Sequence, residues 1–327
     1  MTGMYNWGVL APGGIAESQV ADMQLAGLRI GAVASRNLER ARAFAAKFNI
    51  PDAYGSYAEL LADPAIDVVY VCNTQNAHLE TALAVIAAGK NLLLEKPFTL
   101  NANQAAQIVS AAKAKEVFVM EAMWTRFLPN HVRLFEILAE GTIGEINQVV
   151  ADHTQYLPVE IAPRLYEPEL AGGSIIDLGV YPISFAHRIF GAPLGIAAKA
   201  KLNSDGLDLH TAMLFDYQGD KQAVLTSGID SPGPVNAVIL GSKGRIVLER
   251  QFYENSSFTV FDHSEQIIER YKAKIHGRGM QHQAIHVEEC LAAGLLESPI
   301  MSLTETVEIM EVMDQVRALI GVTYPGE

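Results

Sequence analysis

Two stretches of the chain hold side chains whose placement asks for a chemical reason. The first is Glu95-Lys96-Pro97, at the end of an apolar strand, where a lysine needs either a task or a partner. A salt bridge to a carboxylate is the plain alternative. The second runs Gly172-Gly173-Ser174-Ile175-Ile176-Asp177-Leu178-Gly179-Val180-Tyr181-Pro182. Its glycines allow close packing at a helix start, and on that helix Asp177 and Tyr181, four apart, face the same side.

A third stretch, Ala11-Pro12-Gly13-Gly14-Ile15-Ala16, follows the first strand. A dinucleotide site needs small residues there so that the backbone can approach a pyrophosphate at a helix N-terminus. The usual fingerprint is G-x-G-x-x-G/A, and this chain offers A-x-G-x-x-A. Ala11 replaces the first glycine, and Pro12 removes one amide donor. Position in the first βαβ unit is what turns a weak motif into a cofactor candidate.

The end of the second strand bears on which nicotinamide cofactor is used. An NAD-preferring site usually places Asp or Glu there to hold the ribose hydroxyls. This chain has Ala34-Ser35-Arg36-Asn37, with Arg40 one helical turn on. A hydroxyl and a planar guanidinium suit a 2′-phosphate, so NADP is expected ahead of NAD. A solvated basic turn is the alternative reading.

The first 120 residues alternate fully apolar strands with amphipathic helices, which predicts a doubly wound parallel sheet. After a helix over 129–140 the pattern changes to consecutive strands with short Gly- or Asp-rich turns, which predicts a mostly antiparallel, open sheet. Helices near 175–190 and 281–293 are expected to cover one face of it. Ser302 and Glu305 form a capping box for a last helix over 302–320, which is expected to pack back on the first domain. The fold class is therefore α/β for residues 1–122, a nucleotide-binding domain, and α+β for 123–327, a substrate-binding and oligomerisation domain.

With 327 residues, two cores are expected. The net charge of −13 argues against nucleic acid as a partner. The stretch Met1 to Asn6 lacks a leader pattern, and no apolar run approaches the roughly 20 residues of a membrane span. Two cysteines, Cys72 and Cys290, make no disulfide framework, and a reducing cytoplasm is expected. His282 and His286 have the spacing of a metal pair but no third ligand or HExxH motif accompanies them, so no metal is expected and a structural or cofactor-proximal role is preferred. His187 reads as a partly buried helix residue.

In order and spacing, the Gly13 turn, Glu95-Lys96-Pro97 and the 172–182 segment resemble the glucose-fructose oxidoreductase, inositol dehydrogenase and rhizopine-catabolism (Gfo/Idh/MocA) superfamily over essentially the whole chain. The stretches Met120 to Pro129 and Arg164 to Leu170 look like its dimeric dihydrodiol dehydrogenases and NADP-dependent D-xylose dehydrogenases. The resemblance implies that Lys96, Asp177 and Tyr181 gather around nicotinamide and substrate, Tyr181 marking the tyrosine branch. It implies an acid/base role for Tyr181, because a nearby Lys96 ammonium favours the phenolate of a group whose free pKa is about 10. Asp177 would orient Lys96 or bind a second hydroxyl.

The cofactor contacts it implies are Ala11, Gly13, Gly14, Ile15, Ser35, Arg36, Arg40, Asn73, Thr74, Asn76, His78, Glu95 and Lys96, with Gln75 where the family often has proline. Trp124 and Arg126 are placed beside the nicotinamide, a packing role being their alternative. The implied substrate is a sugar, polyol or related vicinal diol, and the implied assembly a homodimer through the open sheet. Two other outcomes share this fold: an NAD-dependent glycosidase, and a dinucleotide-binding regulator without turnover. An intact Lys96, Asp177 and Tyr181 set argues against the regulator.

Overall fold

A computed structural model describes residues 3–274 and 276–327; the first two residues of the stretch read for a leader pattern lie outside the described residues. β1 (Asn6–Leu10), β2 (Arg29–Ala34), β3 (Asp52–Tyr54), β4 (Val68–Val71), β5 (Asn91–Glu95) and β6 (Val119–Ala122) form one sheet in the order β3-β2-β1-β4-β5-β6. Every pairing in it is parallel. Helices α1 (Gly14–Leu25), α2 (Leu38–Phe48), α3 (Tyr57–Ala62), α4 (His78–Ala87) and α5 (Ala102–Lys115) alternate with the strands. Covering both faces buries β1 and β4, which is why Trp7, Val9, Val69 and Tyr70 can follow one another without polar alternation. The strand order reverses between β1 and β4, the switch point at which doubly wound sheets open a crevice at their carboxyl ends.

α6 (Pro129–Ala139), β7 (Ile146–Thr154), α7 (Val180–Phe190), β8 (Gly195–Leu202), β9 (Asp208–Tyr217), β10 (Lys221–Gly228), β11 (Ala237–Gly241), β12 (Gly244–Leu248), β13 (Phe258–Asp262) and β14 (Ile267–Tyr271) follow. Their eight strands lie in the order β14-β13-β12-β11-β7-β10-β9-β8. All pairs are antiparallel except β7 with β10. Alternation is clean along β9, where Thr211, Met213, Phe215 and Tyr217 point inward and Ala212, Leu214 and Asp216 outward. β14 escapes sequence reading because Ile267-Ile268-Glu269-Arg270 does not alternate; Arg133 of α6 holds it through both carboxylate oxygens of Glu269, at 3.1 and 2.8 Å.

α8 (Gln281–Ala292) and α9 (Leu303–Ile320) complete the chain. Its contacts group into two compact units rather than dividing once near residue 122. The first holds the described residues up to Thr99, Asn103–Phe127 and those from 276 to Val307; the second holds Leu100–Ala102, Leu128–Lys274 and Glu308–Glu327. Consequently α8, which the strand and helix pattern had assigned to the second sheet, groups with the first unit. It packs with α1 because two buried carboxylates tie it there. Asp22 accepts the amide of Met280 at 2.8 Å at the start of α8, and Glu288 accepts the Trp7 indole N–H at 3.0 Å and the Gly3 amide at 2.9 Å. Sequence periodicity says which helix face is apolar, not which sheet receives it.

Candidate active site

In the first unit, β1 runs into Ala11, which adopts a left-handed φ of 65° and donates its amide to Ala34 at the end of β2, at 3.0 Å. The position normally given to glycine thus keeps a glycine-like backbone, at the modest strain an alanine pays there. Gly13 caps α1 and Gly14 is its first residue. A side-chain carbon on Gly14 would meet nothing within 4 Å, and one on Gly13 only the Ala11 carbonyl at 4.0 Å. The fold itself does not crowd these glycines, so the open space at the helix N-terminus fits a phosphate that must come close to backbone amides. Ile15 is the half-buried second residue of that helix.

Ser35 is buried, and its hydroxyl accepts the Asn37 amide at 3.2 Å; Asn37 in turn caps α2. Arg36 and Arg40 are exposed. Arg40 reaches the Pro12 carbonyl at 3.5 Å, whereas Arg36 makes no ion pair or hydrogen bond among the described residues. Both guanidinium groups lie beside Tyr57, where their charges work against the upward push of burial on its phenol. Tyr57, not singled out by sequence, therefore belongs to this basic corner.

The loop after β4 holds Asn73, whose amide donates to Thr81 at 2.7 Å, then Thr74, buried Gln75 and exposed Asn76. His78 is buried behind it. Its Nδ1 lies 3.0 Å from the Pro97 carbonyl and 3.1 Å from that of Phe98, and its Nε2 lies 3.1 Å from that of Asn73. Burial, with a smaller push from Lys96, lowers its pKa to about 4. The neutral ring has a single N–H and these three oxygens only accept, so His78 sits packed between two loops and donates to one of them. Glu95 is also buried and accepts the Tyr70 hydroxyl at 2.6 Å, fixing the strand end from which half-buried Lys96 leaves; the Lys96–Pro97 bond is cis.

Trp124 and Arg126 are both buried. Arg126 pairs with Glu305 at 2.7 Å and donates to the Ile300 carbonyl at 3.2 Å, and the Arg278 guanidinium lies 5.6 Å from the Trp124 ring centre. These contacts favour the packing role over an exposed cofactor contact. At the start of α9 the Ser302 hydroxyl accepts the Glu305 amide at 3.2 Å, one of the two bonds of the expected capping box. His286 meets the Ser298 hydroxyl at 2.7 Å and the Cys290 sulfur at 3.3 Å, a structural cluster. Burial pushes the Cys290 thiol up to about 11, so it is not a ready nucleophile.

In the second unit the expected single helix is two pieces. Ile175–Gly179 is a π-helical turn and α7 begins at Val180. Asp177 lies in the wider turn and Tyr181 in the α-helix, so the 3.6-residue period that would align them does not run through the junction. Both are buried. Asp177 pairs with Arg164 at 2.9 Å, a partner that residue spacing did not reveal. The turn is anchored by Asp208 of β9, whose Oδ2 accepts the Ser174 hydroxyl at 2.6 Å, the Thr211 hydroxyl at 2.8 Å and the Ile175 amide at 2.8 Å. Burial raises the Asp208 carboxyl to about 6 despite these donors. His187, further along α7, is buried with its ring 3.3 Å from Glu308.

Around Tyr181 stand residues that sequence reasoning missed. The His153 ring is 5.0 Å from it edge-on, the Tyr253 ring 4.9 Å away, and His153 stacks on Tyr253 at 4.1 Å. Gln155 bridges them, its amide nitrogen 2.8 Å from His153 Nε2 and 3.1 Å from the Tyr253 hydroxyl. The only sequence signal was His153 and Gln155 recurring on alternate residues at a strand end. Tyr253 lies nearly a hundred residues away.

Comparison with known proteins agrees with this architecture. Residues 5–123 match an oxidoreductase family with an NAD-binding Rossmann fold, and residues 131–247 match the Gfo/Idh/MocA C-terminal domain. Trans-1,2-dihydrobenzene-1,2-diol dehydrogenase of Xenopus tropicalis is 36% identical, over 98% of this chain and 99% of that one. The Homo sapiens protein of the same name is 33% identical, over 98% of each. A 3-ketoreductase from Actinomadura kijaniata, crystallised with NADP and TDP-benzene, superposes with a TM-score of 0.85 at 26% identity, over 97% of this chain and 98% of that one. An aldose-aldose oxidoreductase from Caulobacter crescentus shares the fold with a TM-score of 0.86 at 20% identity, over 96% of this chain and 97% of that one. The chain belongs to the Gfo/Idh/MocA oxidoreductase family. It is an enzyme of the dehydrogenase type, acting on CH–OH groups and built on a dinucleotide-binding domain. Among the described residues no helix is long and apolar enough to cross a membrane.

Proposed function

We propose that the enzyme moves a hydride between NADP(H) and a sugar, polyol or trans-dihydrodiol-like substrate, with Tyr181 as acid/base and Lys96 assisting it. The observation that carries the reading is the setting of Tyr181, held at the first turn of α7 directly after the anchored π-turn that bears Asp177. The diol dehydrogenase relatives support a vicinal diol or sugar as the substrate class. NADP is supported by the unpaired Arg36 beside Arg40 and Tyr57, and by the NADP bound to the ketoreductase of like fold.

Gly13, Gly14, Ile15, Ser35, Arg36 and Arg40 would hold the dinucleotide, with Asn73, Thr74 and Asn76 along its path; bound there, it supplies a two-electron hydride acceptor or donor. In the oxidative direction the substrate hydroxyl gives its proton to the Tyr181 oxygen as the hydride leaves the same carbon. The Lys96 ammonium favours the phenolate that receives this proton. In the reductive direction Tyr181 returns the proton. Tyr181→Phe should lower turnover by roughly 10²–10⁴ while NADPH affinity, read by fluorescence titration, stays within about tenfold. Near-normal turnover in that variant would remove Tyr181 from the acid/base role.

The second unit's open sheet offers a surface for a homodimer. Leu214, Val224, Val150, Val238 and Val247 stand opposite one another on successive strands, an apolar row running across the outer face. Pairing two such faces should give about twice the 35.5 kDa chain mass in light scattering at micromolar protein, and a monomer there would refute it. Two buried free thiols suit the reducing cytoplasm in which we place the enzyme.

A further inference from the structure

One peptide unit ahead of the π-turn is held from both sides. The Gly173 amide donates to the Leu165 carbonyl at 2.8 Å, and the Gly172 carbonyl accepts the Tyr324 hydroxyl at 2.9 Å. Backbone torsions of two successive glycines resist rotation of the plane between them least, and Gly173 already sits at a φ of +100°. The two hydrogen bonds therefore fix this plane. Its orientation sets the course of the chain into the turn Ile175–Gly179, which carries Asp177 and leads into Tyr181. Leu165 is a near neighbour in sequence, whereas Tyr324 comes from the segment after α9, 152 residues away. Tyr324 is buried, and its amide donates to Glu327 Oε2 at 3.2 Å. Arg317, buried in the last turn of α9, meets the other oxygen of Glu327 at 2.5 Å and lies 5.0 Å from the centre of the Tyr324 ring. Burial, with the charge of Asp208, pushes the Tyr324 phenol well above its ordinary value, so the hydroxyl keeps its proton and donates near neutral pH. All of these residues belong to the second unit.

We propose that Tyr324 is a positioning residue for hydride transfer: its hydroxyl latches the Gly172–Gly173 peptide and thereby holds Tyr181 in register. The inference rests on the acid/base reading of Tyr181. A misplacement of about 1 Å at the reacting atoms is enough to cost roughly 10²-fold in rate. Two adjacent glycines make the joint at which such a misplacement arises most easily. The Tyr324 hydroxyl takes that freedom away, and Glu327 and Arg317 hold the hydroxyl's own residue in place.

The test is a double-mutant cycle read by single-turnover reduction of NADP⁺, with whichever of trans-1,2-dihydrobenzene-1,2-diol and D-xylose the parent oxidises faster. Rates are expressed per NADPH-binding site counted by fluorescence titration, so that unfolded protein does not enter them. Tyr324→Phe keeps the ring and deletes the donor; it should slow hydride transfer by roughly 3–30-fold and leave NADPH affinity within about twofold. In a Tyr181→Phe background the same change should cost less than about twofold, because a residue that acts through another adds little once that other is gone. Equal losses in the two backgrounds, or no loss in the parent, would overturn the proposal, since a merely structural role is additive. Glu327→Gln loosens the latch but keeps its ring and hydroxyl, and should give part of the loss, roughly two- to fivefold. Should Tyr324→Phe fail to fold, an unchanged rate in Glu327→Gln overturns the proposal by itself. If Tyr181→Phe keeps turnover, the acid/base reading fails, and the rate of Tyr324→Phe then decides alone whether the latch serves the turn that bears Asp177.

Discussion

Two glycine pairs mark the two candidate sites, and they are glycines for opposite reasons. Around Gly13 and Gly14 the protein leaves room, so a methyl group would touch almost nothing of the chain itself. Around Gly172 and Gly173 it leaves none. A side-chain carbon on Gly172 would sit 2.6 Å from the Leu165 carbonyl oxygen, and one on Gly173 2.4 Å from Asp208 Oδ1, at a φ of +100°. The first pair is small for a ligand's sake, the second for the fold's. One site is thus a surface of backbone and exposed cations, and the other a lattice of side chains already committed to each other.

The largest effect that sharpens this contrast is expected at Gly173. Gly173→Ala adds a clash with a buried carboxylate to a backbone that only glycine adopts easily, and should destabilise by roughly 2–5 kcal/mol. The loss should appear as a lower urea midpoint at unchanged slope, together with reduced turnover as the π-turn shifts. A variant as stable as the parent would show that the turn is not held as tightly as its contacts indicate.

Buried carboxyls extend the comparison. Asp208 answers three donors through one oxygen, and its Oδ1 has no partner among the described residues. Glu121, in β6, fares worse. The Thr306 hydroxyl and Phe98 amide lie near enough to favour its ionised form, yet neither oxygen is met with hydrogen-bond geometry. Burial, opposed by Arg126, raises its pKa from 4.5 to about 7. The unfolded chain gives up this proton near 4.5 and the native protein near 7, so the native state binds more protons between them. Stability therefore falls as pH rises through that window, by about 3 kcal/mol from this group. Glu121→Gln should remove that part of the slope and leave the variant relatively more stable at pH 8 than at pH 5. Parallel pH–stability curves for the two proteins would refute the buried, protonated carboxyl.

The first site is broken by touching the ligand's side only. Arg36→Ala should cost roughly 1.5–3 kcal/mol of NADPH binding and barely change NADH binding, since only the former carries a 2′-phosphate. Equal losses for both cofactors would sink the NADP assignment. Smallest of all in stability is Gly14→Ala, expected within about 1 kcal/mol of the parent because alanine suits a helix and meets no neighbour. The same variant should weaken both cofactors, because its methyl group enters the space their phosphates need. Unchanged cofactor affinity would show that this space is not used.

Much of the first site was legible because its logic is local. Small residues after a strand, a Ser-Arg pair after the next and a lysine at a third strand end each act through the backbone element that carries them. Less legible were the places where a side chain found a distant partner. His78 turned inward to three carbonyls, and Arg126 to Glu305 and Ile300. Whether a polar side chain faces a ligand or a buried neighbour depends on what the rest of the chain brings to it.

By itself the sequence determined the alternation of strands and helices, the change from parallel to antiparallel pairing, and the residue types that mark a dinucleotide oxidoreductase. Hydrophobic periodicity and turn chemistry act over a few residues, and these features need nothing more. Tertiary structure alone decided that α8 belongs with α1, that a π-turn interrupts the helix before Tyr181, and that Arg164, Asp208, His153, Gln155 and Tyr253 surround the 172–182 segment. Those outcomes depend on contacts between residues far apart in the chain, where burial and the matching of donors to acceptors select the partner and spacing carries no information.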